Sequence, residues 1–228
     1  MKWTMHNINA WENETHVFID TLLESNGIMA EFAQMSCVKA PKGCWTGRYA
    51  RVTMPNPKAR DALDMGAATV QYLTPEDLYQ VEFGVVNPAK MWTEETRYIF
   101  GTAWPGSGDS GPLQYIIRVD TETGEIKKWS ANDYSAEDLA KFADPEVYLG
   151  NEGFHQVGAP EFIPKDANQP ADSSAGVILS YWLSPDNEPQ LYIVDGVTME
   201  AVAVLNLPIP KMPSVGLHNH FSKYPPSV

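Results

Sequence analysis

Cysteine is scarce. Cys37 and Cys44 are the only two in 228 residues, and six residues including Pro41 and Gly43 lie between them. Nothing else in the sequence points to secretion, so they read as reduced thiols rather than a bridge. Two cysteines with no further ligands at suitable spacing do not make a zinc site. Positive charge is also in short supply. There are 16 Lys and Arg against 29 Asp and Glu, a formal net charge of −13. That argues against nucleic acid and anionic membrane surfaces as partners, since both need clustered cations. No apolar run reaches the roughly 20 residues of a membrane span. The opening MKWTMHNINAWENE lacks the apolar core of a signal peptide. The expectation is a soluble, cytoplasmic protein. No charge run or low-complexity linker divides the chain, so one domain over residues 1–228 is expected.

What is present is strand chemistry. Hydrophobic residues make up 43% and aromatics 11%, ample for a folded core. Short runs rich in β-branched and aromatic residues recur at Thr15–Asp20, Thr96–Gly101, Leu113–Val119, Ala175–Trp182, Gln190–Asp195 and Met199–Leu207. Asp120-Thr121-Glu122-Thr123-Gly124-Glu125 separates two such runs, and its glycine can take the positive φ of a tight turn. Asp195-Gly196-Val197-Thr198 is expected to act in the same way. Two segments depart from the β pattern. Thr21–Ala33 is predicted to be a loop with some helix. Ser135–Ala143 reads as a short helix with Ser135 as N-cap and Asp138 at the capping-box position. Residues 151–157 and 165–174 read as surface loops. The expected class is all-β with short helical insertions.

Five histidines are available: His6, His16, His155, His218 and His220. Imidazole is a common metal ligand, but a lone histidine holds no metal tightly, and composition does not choose among the five. Four motifs do. His6-Asn7-Ile8-Asn9-Ala10-Trp11-Glu12 opens the chain and Gly216-Leu217-His218-Asn219-His220-Phe221 closes it. Between them stand Val81-Glu82-Phe83-Gly84-Val85-Val86-Asn87-Pro88 and Gly158-Ala159-Pro160-Glu161-Phe162-Ile163-Pro164.

Together these resemble the C-terminal half of the carotenoid cleavage oxygenase family, and the likeness runs from His6 to Phe221. The resemblance implies part of a seven-bladed β-propeller. It implies one Fe(II) held by four histidines, with His6 as the third ligand and His218 as the fourth. The first two have no counterpart here. His220 lies two residues on and would share a strand face with His218. Asn219 stands where the family has glycine, and Gly84 where it has proline. Ligand histidines give their other N–H to a carboxylate or carbonyl. The resemblance assigns that role to Glu82, as partner of His6. The second family glutamate falls at Ala159; Glu161, two residues further, is the candidate in its place if a local shift puts it on the same face, and otherwise the partner of His218 is missing. Trp11 and Glu12 are expected to secure the sheet rather than touch substrate. Strand alternation would turn Val81 and Phe83 away from the Glu82 face.

The activity implied is O₂-dependent cleavage of a conjugated C=C bond in a carotenoid, apocarotenoid or stilbene-like substrate. Peripheral membrane contact is implied for the full-length protein. With two of four histidines, the chain alone is expected to be inactive. The alternative is a catalytically incompetent half-propeller that acts as a binding or assembly module or has no function. Met1–Met5 enters the first motif abruptly, which predicts coding sequence upstream with two more histidines.

Overall fold

The computed structural model describes residues 4, 6–24, 47–58, 67–75, 80–104, 114–134 and 156–208. They contain twelve strands and one short 3-10 turn, Ala131–Asp133. The first four are β1 (Asn7–Glu12), β2 (His16–Glu24), β3 (Gly47–Pro55) and β4 (Thr69–Tyr72). Next come β5 (Gln80–Val85), β6 (Tyr98–Trp104), β7 (Tyr115–Asp120) and β8 (Ile126–Trp129). The last four are β9 (Gln156–Pro164), β10 (Gly176–Leu183), β11 (Pro189–Asp195) and β12 (Ala201–Asn206). Each set of four pairs antiparallel in chain order. A single parallel bridge, Gly47 to Gln80, joins the first set to the second.

The three sheets stack face to face. β6 and β7 in the middle sheet show how. Ile99 and Ile117 pack toward the first sheet, with Ile8, Leu22 and Tyr49. Their neighbours Phe100 and Ile116 pack toward the third, with Phe162, Ile178, Trp182 and Tyr192. Successive side chains of a strand point to opposite faces, so a sheet covered on both sides needs apolar residues at nearly every position. Phe100 and Phe162 stack across the second junction at 4.3 Å between centroids. Trp129 and Trp182 meet edge-on in the same core at 5.5 Å. Arg118 of β7 is buried and donates to the carbonyls of Gly196 (3.0 Å) and Val197 (2.7 Å), tying the second sheet to the third.

Two turns share one geometry. Asp120 Oδ1 accepts from the Glu122 and Thr123 amides, and the Gly124 amide donates to the Asp120 carbonyl. Asp195 Oδ1 accepts from Val197 and Thr198, and the Met199 amide donates to the Asp195 carbonyl. The fifth residue of each turn is left-handed: Gly124 at φ 74° and Met199 at φ 61°. In the second turn, then, Met199 takes the positive φ, not the glycine. Gly196 is small for another reason: a Cβ there would lie 2.5 Å from the Ser174 carbonyl oxygen.

Other expectations need correction. Residues 21–24 continue strand β2 instead of starting a loop with helix, because β3 pairs with them in unbroken register to Gly47. Gln156 and Val157 belong to β9, where Val157 pairs with Trp182. The helix predicted at 135–143, both cysteines, and residues 25–33 lie outside the described residues. Among the described residues no helix is long and apolar enough to cross a membrane.

Candidate metal centre

His6 immediately precedes β1. Its carbonyl accepts from the Leu22 amide at 3.0 Å, which holds it beside β2. Its Nδ1 lies 3.0 Å from Oε2 of Glu82, across 76 residues of sequence. The Glu82 residue is 5% exposed, whereas the His6 side chain is 23% exposed. A buried carboxylate at Nδ1 fixes the orientation of the ring and makes the Nε2 lone pair the more basic ligand. The Phe83 ring packs against the imidazole, with centroids 5.4 Å apart and planes tilted by 46°.

Phe83 reaches that position because β5 is irregular. Pairing steps from Glu82 opposite Thr102 to Val85 opposite Phe100, so two residues of β5 face one of β6. This is a β-bulge, and it re-aims the side chains within it. Phe83 adopts φ 51° there, a left-handed conformation that costs a non-glycine residue roughly 1–2 kcal/mol. Simple alternation is therefore overturned: Val81 is buried in the core, but Phe83 sits on the histidine with Glu82.

The rest of the first motif holds the frame. Asn9 is fully buried; its Nδ2 donates to the Glu94 carbonyl at 3.0 Å and its Oδ1 accepts from the Trp92 amide at 2.8 Å. It thus pins the loop after β5 to β1. Trp11 stacks on Phe18 at 5.2 Å, and the Arg51 guanidinium lies over the Trp11 ring, 4.6 Å from its centroid. Arg51 also grips the buried Asp20 through two bonds of 2.8 and 3.0 Å. Burial raises the Asp20 carboxyl above its ordinary value, and the Arg51 pairing opposes that rise. Glu12 pairs with Lys58 at 2.9 Å. Trp11 and Glu12 secure the sheet.

Among the described residues, the other candidates are not brought to this point. His16 starts β2 opposite Pro55, whereas Thr21 is the residue opposite Asn7. The two histidines are therefore at opposite ends of the β1–β2 pair, roughly 20 Å apart at strand rise. Glu161 pairs with Leu179 on the face away from the Phe162 core and is half-buried. Ala159 is 6% exposed and sits in a second bulge, where the register shifts between Ser180 and Trp182. His155, His218 and His220 lie outside the described residues.

The donor set fits part of a divalent-metal site: one imidazole, oriented by a buried carboxylate. Among the described residues, no three His, Cys, Asp or Glu side chains converge to hold an ion. Sequence reasoning did not single out Tyr49, Gly101 or Thr102, which surround the Glu82 carbonyl. The only local signal was Gly84 after Phe83, since glycine inside a strand marks a bulge or a close approach. A Cβ at Gly84 would meet Ile8 Cδ1 at 2.7 Å.

The family model described as retinal pigment epithelial membrane protein matches residues 2–223. The chain belongs to this family, that of the carotenoid cleavage oxygenases. Solved structures agree on the fold. A glutamate-to-aspartate variant of Synechocystis apocarotenoid oxygenase is 21% identical, with a TM-score of 0.67 over 95% of this chain and 38% of that one. A chimera of apocarotenoid oxygenase and the retinal pigment epithelial protein gives 20% identity and 0.65, over 90% and 37%. Cobalt-substituted Synechocystis apocarotenoid oxygenase gives 20% and 0.64, over 90% and 37%. This carotenoid-oxygenase chain thus spans little more than a third of the length of those proteins. No curated protein matches it by sequence.

Proposed function

We propose that this chain supplies two of the four histidines, His6 and His218, of an Fe(II) centre in a carotenoid- or apocarotenoid-cleaving oxygenase. The observation that carries the reading is the 3.0 Å contact between His6 Nδ1 and the buried Glu82 carboxylate. Bound there, ferrous iron would bring O₂ to a conjugated C=C bond, giving two carbonyl products. The chain's own residues orient the ligand. Glu82 accepts a hydrogen bond from Nδ1–H, which keeps the proton on Nδ1 and leaves the Nε2 lone pair for the metal. Phe83 walls one side of the imidazole with an apolar surface that suits a polyene or stilbene-like substrate. The remaining two histidines come from outside these 228 residues, in a ring completed to seven blades. The whole protein is proposed to work in the cytoplasm and to contact membranes peripherally when extracting substrate.

Ala159 favours a second reading. It stands where the family has a glutamate, and loss of such a partner costs roughly 10–100-fold in metal affinity or activity. The chain would then be an incompetent half-propeller with a binding or assembly role, or none. Cleavage of an apocarotenoid by the protein that the native transcript encodes separates the two. Turnover lost on His6→Ala and on His218→Ala is the expected result. Unchanged turnover in either variant overturns the ligand assignment.

A further inference from the structure

The Glu82 carbonyl falls at the bulge. Its partner is a side chain from another sheet: the Tyr49 hydroxyl of β3 donates to it at 2.7 Å. Thr102 Oγ1 is a second, longer donor at 3.3 Å. Tyr49 is fully buried, and its hydroxyl occupies the space a side chain at position 101 would need. A Cβ on Gly101 would lie 1.8 Å from that oxygen. The Tyr49 ring also abuts Gly84, with Ile8 on the same glycine. Ile8 is two residues from His6. The first sheet therefore fills the bulge of the second from both the Tyr49 side and the His6 side.

We propose that Tyr49 is a positioning residue for the His6–Glu82 pair. Its hydroxyl, seated over Gly101, holds the Glu82 carbonyl. It thereby holds the bulge that aims the Glu82 carboxylate and the Phe83 ring at the imidazole. Its purpose rests on the metal-site reading above, but its geometry does not. Loss of the shorter of its two side-chain donors weakens the hold on a buried carbonyl, and the bulge is the movable part. Relaxing it swings Glu82 away from Nδ1.

The test is Tyr49→Phe in the 228-residue chain, which removes one oxygen and keeps the ring. Histidine ring nitrogens are labelled with ¹⁵N, and the His6 signals are assigned by their loss in His6→Ala. At pH 8 the ratio of Nδ1–H to Nε2–H tautomers is read directly. The wild type is expected to favour Nδ1–H, and Tyr49→Phe to lower the ratio about fivefold. Thr102→Val, which removes the longer donor, is expected to lower it less, and carries the test if Tyr49→Phe does not fold. Ile117→Val thins the same core and removes no hydrogen-bond donor to the Glu82 carbonyl. It is expected to lower the melting temperature and leave the ratio alone. An unchanged ratio in Tyr49→Phe, or an equal change in Ile117→Val, overturns the proposal. Cobalt(II) titration of the same samples is the second readout, with binding weakened about tenfold in Tyr49→Phe. If the 228-residue wild type takes up no cobalt, its two proposed ligands do not hold a metal without the two from outside the chain, and the tautomer ratio decides the role of Tyr49.

Discussion

Glu82 places a carboxylate where little water reaches it, with one imidazole nitrogen at 3.0 Å. That is a costly position for a charge unless the partner donates a proton into it. A glutamine at 82 keeps the shape but removes the charge that favours the Nδ1–H tautomer. On the proposed metal site, Glu82→Gln in the protein that the native transcript encodes is expected to weaken Fe(II) or Co(II) affinity by about 10–100-fold. Metal titration followed by optical absorption reads this. Affinity within twofold of wild type would show that the carboxylate does not serve the ligand. His16→Ala is the control: His16 bonds locally to Thr15 and sits at the far end of the strand pair, so affinity should not move.

At the scale of elements, the turn after β7 carries a pH signature. The Arg97 side chain bonds to Asp120, and the Glu122 and Thr123 amides add to it. Together they hold its carboxyl at about 2, well below the ordinary 3.8. A depressed carboxyl stabilises the fold fully above its unfolded value, and that contribution is lost as pH falls through the folded value. Thermal stability should therefore decline between roughly pH 4 and pH 2. In Asp120→Asn the protein should be less stable at pH 7, with a flatter acid decline; a melting series over that range checks it. Asp195 in the matching turn is also lowered, first by the Thr198 amide, so some acid sensitivity remains in that variant. Gly124 tests the backbone of the same turn. It has open space around it but φ 74°, so Gly124→Ala should cost roughly 1–2 kcal/mol from handedness alone. Urea unfolding measures that, and a neutral result would mean the turn can relax.

For the whole molecule, the contacts between sheets matter most. Phe162 stacks on Phe100 and also covers Gly176 and Gly196, where added Cβ atoms would come within 3.0 and 3.1 Å of its ring. Phe162→Ala should cost about 3–5 kcal/mol, as removal of a buried aromatic does. A loss under 1 kcal/mol by urea unfolding would mean that the second and third sheets do not share a core.

Much of this was legible without coordinates. The runs at 113–119, 175–182 and 190–195 read as strands because β-branched and aromatic residues are dense there. The Asp120 turn read correctly because aspartate and glycine carry its chemistry locally. The first motif and Glu82 were identifiable because their residue types and spacing are specific to the family. Met199 could not be read as the left-handed residue, because methionine has no preference for that conformation and only the repeated Asp-bonded turn imposes it. Nor could Phe83, since the bulge depends on how β5 meets β6. The contact of His6 with Glu82 joins residues 76 apart. Tyr49, Gly101 and Ile8 come from three strands of two sheets and form one packed unit. The sequence by itself determined the strands at β6, β7, β10, β11 and β12, the Asp120 turn and the family, because those follow from local pattern. Only the tertiary structure decided which side chain supports which, because that depends on how one sheet's face fills the irregularities of the next.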